Sequence, residues 1–211
     1  MTMHLYGGKL SPFVMRPVLA ARAKGHDLEP ETFEGGMKCE AYLALSPLGK
    51  MPLLVDGDFA LPESQPITDY LDATLSGPKL APSDPREASR TRLIVRLADL
   101  YLVPHLQGIF RGRENPEGVA PAMAGLATVL GHIEHFRRDS DVFVVGDSFS
   151  VADATLIPMF FFFDVFDKGM GTGALVAANP GLAAWWARAK ASELGARCIA
   201  EQSEGLKAMR G

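Results

Sequence analysis

A short segment rich in proline and glycine, SGPKLAPSDP (Ser76–Pro85), constrains the fold of this 211-residue chain more than any other feature. Its two serines, one glycine and three prolines disfavour both helix and strand, so the segment predicts a linker. Short strand and helix signals alternate before it, whereas the sequence after it is almost wholly helical. We therefore predict an α/β domain at residues 1–77, a linker at 78–85 and an all-helical domain at 86–211.

The first domain is predicted to follow the order βαβαββα. Its elements are a strand at 4–6, a helix at about 13–24, a strand within 28–33, a helix at about 39–45, a hairpin at 53–61 and a helix at about 64–75. Pro30 lacks the N–H that a central strand needs, so its strand is expected at the sheet edge. Asp56-Gly57-Asp58 supplies the positive φ of a tight hairpin turn.

Periodic apolar residues predict four helices in the second domain. The first carries a face of Leu93, Leu97, Leu100 and Pro104, and the second a face of Met123, Leu126, Leu130, Ile133 and Phe136. The third opens with an S-x-x-D capping pattern at Ser150 and Asp153, in which the serine caps N–H groups and the acid lies at the positive helix end. The fourth follows Pro180 and carries Trp185-Trp186.

Charge and cysteine content exclude several function classes. The formal net charge is −4 and neither half of the chain is basic, so we expect no nucleic-acid partner. Cys39 and Cys198 are far apart and outside any C-x-x-C spacing, which argues against a disulfide framework and fits a reducing compartment. The longest apolar run, Leu156–Phe163, has eight residues, too few to span a membrane, and no signal peptide is evident. A cytoplasmic protein without a membrane partner is expected.

Ser11 follows a glycine pair at a predicted strand-to-helix turn. A thioredoxin-like redox protein carries a cysteine there and another three residues on, but here these positions are Ser11 and Val14, so dithiol exchange is excluded. A hydroxyl beside a positive helix end favours a ligand thiolate, because the N–H groups stabilise negative charge and the O–H can donate to sulfur. A simple N-cap serine is the alternative.

Two further pairs could hold the backbone and charged ends of a peptide-like ligand. Met51-Pro52 precedes a strand, and a cis bond there would turn the Met51 backbone outward to pair with an extended peptide. Glu63-Ser64 begins a helix, where N–H groups and the serine hydroxyl suit a carboxylate and Glu63 suits an ammonium. Helix capping explains Glu63-Ser64 about equally well.

Lys38 and Lys50 flank the helix predicted at about 39–45. Either ammonium could pair with a second carboxylate of the same ligand. Ordinary solvated surface lysines are the alternative interpretation of each.

Four segments, SPFVMRP, SPLGKMPLLV, LPESQPITDYL and SFSVADATL, occur in the order and at the spacing of the signature segments of the soluble glutathione transferase superfamily. The chain resembles a serine-type member of that family over essentially its whole length. The resemblance implies a thioredoxin-like domain followed by a helical domain, and an enzyme of detoxification. In such an enzyme the glutathione thiolate attacks a small hydrophobic electrophile; the family implies a homodimer and glutathione as co-substrate, and no metal is expected.

The resemblance also implies roles for individual residues. Ser11 would donate to the glutathione sulfur, with Phe13 beside it in the glutathione site. Lys38 and Lys50 would lie near the glycine carboxylate. Met51 would pair with the cysteinyl backbone through a cis bond to Pro52. Glu63 and Ser64 would bind the γ-glutamyl end. Ser150 and Asp153 resemble the buried capping box of the family, a folding element.

Several alternatives stay open from the sequence. Tyr6, at the end of the first strand, lies near the position from which other classes use a tyrosine hydroxyl on sulfur. Pro17 departs from the family pattern and is expected to remove a hydrogen bond and kink the early helix. The same thiolate could serve isomerisation, ether cleavage or dehalogenation, and the fold could serve a non-catalytic ligand binder.

The second substrate is expected to bind mainly to the helical domain. Tyr101, His105 and Phe110 on its first helix are the candidate residues, with the run Phe160–Phe163 as a further source of apolar surface. Four consecutive phenylalanines cannot all face one side of a helix, so at least half of them are expected in the core or in an interface.

Overall fold

The computed structural model describes residues 3–112, 114–138 and 141–210 and divides into two compact units. The first unit comprises the residues up to Leu80 together with those from Ser192 onward, and the second comprises Ala81–Ala191. The sequence grouped the C-terminal segment with the helical domain. It belongs to the first unit by its contacts, because the last helix of the chain packs on the first.

The first unit confirms the predicted order βαβαββα. Its elements are β1 (Met3–Tyr6), α1 (Pro12–Ala23), β2 (Pro30–Glu31), α2 (Glu40–Leu45), β3 (Leu53–Asp56), β4 (Phe59–Pro62) and α3 (Ser64–Thr74), followed at the C-terminus by α10 (Glu193–Arg210). The sheet has the order β2-β1-β3-β4, with β2 parallel to β1 and the other pairs antiparallel. The strand that contains Pro30 therefore lies at the sheet edge, as predicted.

The β3–β4 hairpin has a tighter turn than the sequence predicts. Asp56 pairs with Phe59, which leaves only Gly57 and Asp58 in the loop. Gly57 takes a φ of 64°, a left-handed conformation that glycine adopts without a steric penalty.

One row of paired residues defines the end of the sheet where the predicted site residues meet. Tyr6 pairs with Glu31 on one side and with Leu53 on the other, and Leu53 pairs in turn with Pro62. The segments that follow β1, β2 and β4 and the segment that precedes β3 consequently meet at this one end. They carry Ser11, Lys38, Lys50-Met51-Pro52 and Glu63-Ser64.

Helix α1 runs continuously through Pro17. It runs from Pro12 to Ala23, packs on α3 and α10, and has Val14 and Val18 fully buried. Burial of each such side chain contributes about 1.5–3 kcal/mol, which is comparable with the cost of roughly 3 kcal/mol for a proline inside a helix. Ser11 keeps its place directly before the first turn of α1.

An ion-pair network joins α10 to the α1 side of the sheet. Arg22, at the end of α1, has a side chain only 4% exposed and pairs with Glu201 at 2.7 Å and Glu29 at 2.6 Å. Lys9 pairs with Glu29 at 2.7 Å and with Glu201 at 3.4 Å. Charged groups thus hold the C-terminal helix on the first unit.

We expect acid to loosen α10. The hydrogen bond from Lys9 lowers the pKa of Glu29. For Glu201, burial raises the pKa, but the hydrogen bonds and the charge of Arg22 outweigh burial. The pKa of Glu201 therefore lies below its usual 4.5. Because the folded-state pKa values lie below the unfolded ones, their stabilisation is present above the unfolded pKa and is lost as pH falls through the folded values.

Amide hydrogen exchange, corrected for its intrinsic pH dependence, checks this expectation. Protection of α10 should fall between about pH 5 and about pH 3 more than protection of the sheet strands, whose core is apolar. Equal loss of protection in α10 and in the strands would contradict this role for the ion pairs.

The second unit is helical. Its elements are α4 (Pro85–Leu97), a π-helical turn (Ala98–Leu102), α5 (Val103–Phe110), a 3-10 turn (Pro116–Gly118), α6 (Val119–Phe136), α7 (Val151–Met170), α8 (Thr172–Ala177) and α9 (Pro180–Ala191). The four predicted helices correspond to the α4–α5 segment, α6, α7 and α9. The sequence did not predict α8 of the second unit or α10 of the first.

The buried face of the α4–α5 segment coincides only in part with the one that its sequence emphasises, since Leu97 of that face is buried. Ile94 and Leu102 are fully buried, whereas Leu100 is 48% exposed. Within the π turn the Val103 N–H bonds to the Ala98 carbonyl, five residues back, which shifts the phase of the helix just before Pro104.

Among the described residues, the continuous helix Pro85–Phe110 has the length and the mean hydropathy of a membrane-spanning helix. This match concerns length and composition alone.

Helix α7 supplies the core of the second unit. All four residues of Phe160–Phe163 are buried, with at most 4% exposed, which agrees with the prediction that at least half of the run is buried. The predicted capping box is confirmed: Ser150 accepts from the Ala152 N–H, and Asp153 accepts from the Ser150 N–H at 3.0 Å. Both Trp185 and Trp186 are buried on α9.

Candidate active site

Ser11 lies at the N-cap position of α1 but does not cap it through its side chain. Its φ of −70° and ψ of 123° are those of an N-cap residue, and its carbonyl accepts from Val14 and Met15. Its hydroxyl makes no capping hydrogen bond. The simple N-cap interpretation requires that bond, so the geometry leaves the Ser11 hydroxyl available to a ligand at the positive end of α1.

The turn that leads to Ser11 is tied to two other segments. Gly7 N–H donates to the Glu31 carbonyl at 2.8 Å, and Gly8 N–H contacts the Met51 sulfur at 3.4 Å. Ser11 N–H closes the turn on the Gly8 carbonyl at 3.0 Å. The Ser11 turn and Met51 are therefore neighbours.

Tyr42 fixes the backbone directly before Met51. The Met51-Pro52 bond is cis, as the resemblance implies. Tyr42 is fully buried on α2, and its hydroxyl donates to the Lys50 carbonyl at 2.6 Å. Burial raises the pKa of Tyr42, so the hydroxyl stays protonated and continues to donate. Nothing in the sequence marks Tyr42 for this role, because its place on a short helix carries no local signal of the bond.

The fold brings the Lys38 side chain to the loop that carries Lys50. A Cβ placed on Gly49 would lie 2.9 Å from the Lys38 Nζ, so the Lys38 ammonium lies against the backbone immediately before Lys50. Both lysines are exposed. This places positive charge from two segments beside Met51.

Glu63 has an unusual backbone conformation directly before Ser64. Its φ of 74° is the only positive value among the described non-glycine residues, and such a conformation costs of order 1–3 kcal/mol. Its carboxylate does not cap α3, although Glu63 occupies the N-cap position. Ser64 opens α3 and is only 3% exposed. A strained acid that does not cap its helix is consistent with a ligand-binding role.

An apolar cavity of about 240 Å³ lies at the same end of the sheet. Its lining residues come from the ends of β1 and β2, the segment before α2, α2 itself and the loop before β3: Tyr6, Gly7, Gly8, Thr32, Phe33, Gly36, Met37, Tyr42 and Met51. Phe33 packs edge-on between Tyr6 and Tyr42, at 4.9 and 5.1 Å between ring centroids. No local pattern in the sequence marks Phe33 or Met37, because their approach to the cavity depends on the pairing of a two-residue strand.

Comparisons with known proteins agree with this arrangement. Residues 5–79 match the N-terminal domain of glutathione S-transferases, and residues 115–188 match the C-terminal domain. Glutathione S-transferase 3 of Zea mays is 32% identical over 201 residues, which cover 87% of each chain. This chain belongs to the glutathione S-transferase family. The enzyme is a glutathione transferase, and its first unit has the thioredoxin-like fold of the N-terminal domain of that family.

Solved structures support the fold of the transferase over its whole length. A Tau class glutathione S-transferase from mango, Mangifera indica L., is 26% identical with a TM-score of 0.83, covering 99% of this chain and 97% of that one. A maleylacetoacetate isomerase from Methylobacterium extorquens AM1, solved with bound malonate and GSH, is 26% identical with a TM-score of 0.71, covering 93% and 95%.

The residues predicted to bind the second substrate fall into two places in the transferase. Tyr101 and His105 line an open groove of about 570 Å³ in the helical unit, with apolar walls from Leu93, Leu97, Leu100 and Val129. Phe110 instead packs edge-on against Phe162 at 4.8 Å and Phe166 at 5.0 Å. Within the described part of the transferase, no group of three or more His, Cys, Asp or Glu residues is placed to hold a metal ion.

Proposed function

We propose that Ser11 activates the glutathione thiol in this transferase. The observation that carries the proposal is a hydroxyl at the N-terminus of α1 that makes no capping bond. A cysteine-type thiol has a pKa near 8.5, so little thiolate forms at neutral pH. A hydrogen bond from Ser11 and the positive helix end stabilise the thiolate and lower that pKa.

The rest of the glutathione molecule is proposed to lie along the loop and helix ends beside this turn. Lys38 and Lys50 pair with the glycine carboxylate, which their shared position at Gly49 favours. The Met51 backbone pairs with the cysteinyl unit next to Pro52. The γ-glutamyl end lies on the residues at the start of α3: Glu63 takes the ammonium, and Ser64 with the helix N–H groups takes the carboxylate. Phe13, in the first turn of α1, completes the proposed contacts.

A small hydrophobic electrophile is proposed as the second substrate. The thiol proton passes to solvent, and the thiolate attacks the electrophilic carbon to form a C–S bond. In a substitution the electron pair of the broken bond departs with the leaving group; in an addition the π pair moves to the activating group and the adduct takes up a proton from solvent. The cavity lined by Phe33 and Met37 adjoins Gly8 and supplies apolar surface near the sulfur. Tyr101, His105 and Phe110 remain proposed contributors from the helical unit.

A cytoplasmic homodimer is also part of this proposal. The family resemblance implies the dimer, and sedimentation velocity would measure it directly. Cys39 and Cys198 are free thiols in the structure, which is consistent with a reducing compartment.

Glutathione titration and a conjugation assay test the proposal on the unmodified enzyme. Retention on immobilised glutathione, followed by turnover of an aromatic halide electrophile, is the expected result. Turnover of maleyl-type double-bond isomers without conjugation would favour isomerisation, and retention without turnover on a broad electrophile panel would favour a ligand-binding role. Failure to bind glutathione at millimolar concentration would refute the proposed site.

A further inference from the structure

The C-terminal helix contacts the turn that carries Ser11. Gln202 is fully buried on α10, and its Nε2 donates to the Leu10 carbonyl at 3.3 Å. The opposite end of the same amide accepts from the Cys198 thiol at 3.5 Å, one helical turn earlier. These contacts orient the Gln202 amide toward the residue that immediately precedes Ser11.

Gly205 brings the helix backbone against the same residue. A Cβ placed on Gly205 would lie 3.0 Å from the Leu10 nitrogen and 3.1 Å from the Leu10 Cβ, so even one methyl group would require Leu10 to shift by a few tenths of an ångström. Gln202 and Gly205 are less than one turn apart and face the same way. The backbone of Leu10 is therefore held by a hydrogen bond and by close packing from a single helix face.

Ion pairs set the position of α10 along the unit. Glu201, next to Gln202, accepts from Arg22 at 2.7 Å and pairs with Lys9 at 3.4 Å. Lys9 is itself part of the turn, directly before Leu10. The Ser11 turn thus receives contacts from α10 at two successive residues, in addition to its bond to β2 and its contact with Met51.

We propose that α10 is a positioning element of the active site, in which Gln202 and Gly205 hold Leu10 so that the Ser11 hydroxyl points at the glutathione sulfur. The inference rests on the proposed role of Ser11. The chain segment most distant in sequence from the turn thereby sets the geometry of thiol activation.

Gln202→Met tests the hydrogen bond, since methionine keeps the size of the side chain but cannot donate. We expect kcat at neutral pH to fall about threefold, with a rise of about half a unit in the pKa of bound glutathione and less than a twofold change in the KM for glutathione. Gly205→Ala, which acts through packing, should shift the same quantities in the same direction. Gln107→Met, the same change on an exposed helix position of the other unit, is the matched control and should change none of them.

The Ser11→Ala background separates this role from a general structural one. There, Gln202→Met should leave the pKa of bound glutathione unchanged, because the group it positions is gone. An equal shift in both backgrounds, or an unshifted thiol pKa in folded Gln202→Met and Gly205→Ala enzymes, overturns the inference while leaving Ser11 as the donor. If Ser11→Ala alone leaves the thiol pKa unchanged, both the proposed role of Ser11 and this inference fail.

Discussion

Replacing Ser11 with alanine is expected to lower kcat with a model electrophile by about 10²-fold at neutral pH. The hydroxyl donates to a sulfur that carries full charge only after deprotonation, so its loss destabilises the thiolate more than it weakens the binding of the thiol. A rise of two units in the thiol pKa corresponds to roughly 2.7 kcal/mol and, where the pH lies below both pKa values, to a hundredfold smaller thiolate fraction. The KM for glutathione should change little, because the contacts proposed for Lys38, Lys50, Glu63 and Ser64 remain.

Ultraviolet absorbance of the bound thiolate, measured against pH, reports this change directly. Tyr6→Phe is the informative control, because Tyr6 is the other hydroxyl considered for the sulfur and lines the neighbouring cavity. If Ser11→Ala keeps the thiol pKa of the wild-type enzyme and Tyr6→Phe loses the bound thiolate, the role of sulfur donor passes to Tyr6. Ser11→Thr, which keeps the hydroxyl, should retain more activity than Ser11→Ala.

Replacing Asp153 with alanine is expected to destabilise the helical unit by about 4 kcal/mol. Asp153 is fully buried and accepts four hydrogen bonds: from the Val144 N–H at 3.0 Å, the Ser150 N–H at 3.0 Å, the Ser150 hydroxyl at 3.0 Å and the Trp185 Nε1–H at 2.9 Å. Burial raises the pKa of this carboxyl, and the four donors offset part of the rise. Alanine would leave the donors buried without an acceptor.

Denaturant unfolding followed by tryptophan fluorescence measures the stability of the helical unit, because the two tryptophans of the chain, Trp185 and Trp186, both lie on α9. Asp147→Ala removes an exposed carboxylate six residues earlier and should change the free energy of unfolding by at most about 0.5 kcal/mol. Equal midpoints for the Asp153 and Asp147 variants would contradict a structural role for the buried acid.

Local signals in the sequence were sufficient where neighbours along the chain decide the structure. The capping box at Ser150, the edge strand with Pro30 and the hairpin at Gly57 each follow from the chemistry of a few adjacent residues. Prediction was less accurate where one helix carries two apolar faces. In α4–α5 the stripe with Leu93 and Leu100 was visible, but the core lies on the side of Ile94 and Leu102, and no local pattern distinguishes these faces.

The site divides in the same way. Ser11, Met51 and Glu63 were recognisable as a set because each lies at a helix or strand boundary with a distinctive local pattern. Phe33, Met37 and Tyr42 were not, because they reach the site only through the pairing of β1 with β2 and the packing of α2. Tyr101, His105 and Phe110 lie on one predicted helix, yet packing separates Phe110 from the other two.

The sequence by itself determined the alternation of strands and helices, the division near residue 80, the exclusion of dithiol chemistry by Val14 and a serine before the first helix. These depend on residue type and short spacing. Only the tertiary structure decided that the Ser11 hydroxyl is not used as a cap and that Gln202 bonds to Leu10. Contacts between residues nearly two hundred positions apart arise from packing of whole elements, which short-range patterns do not encode.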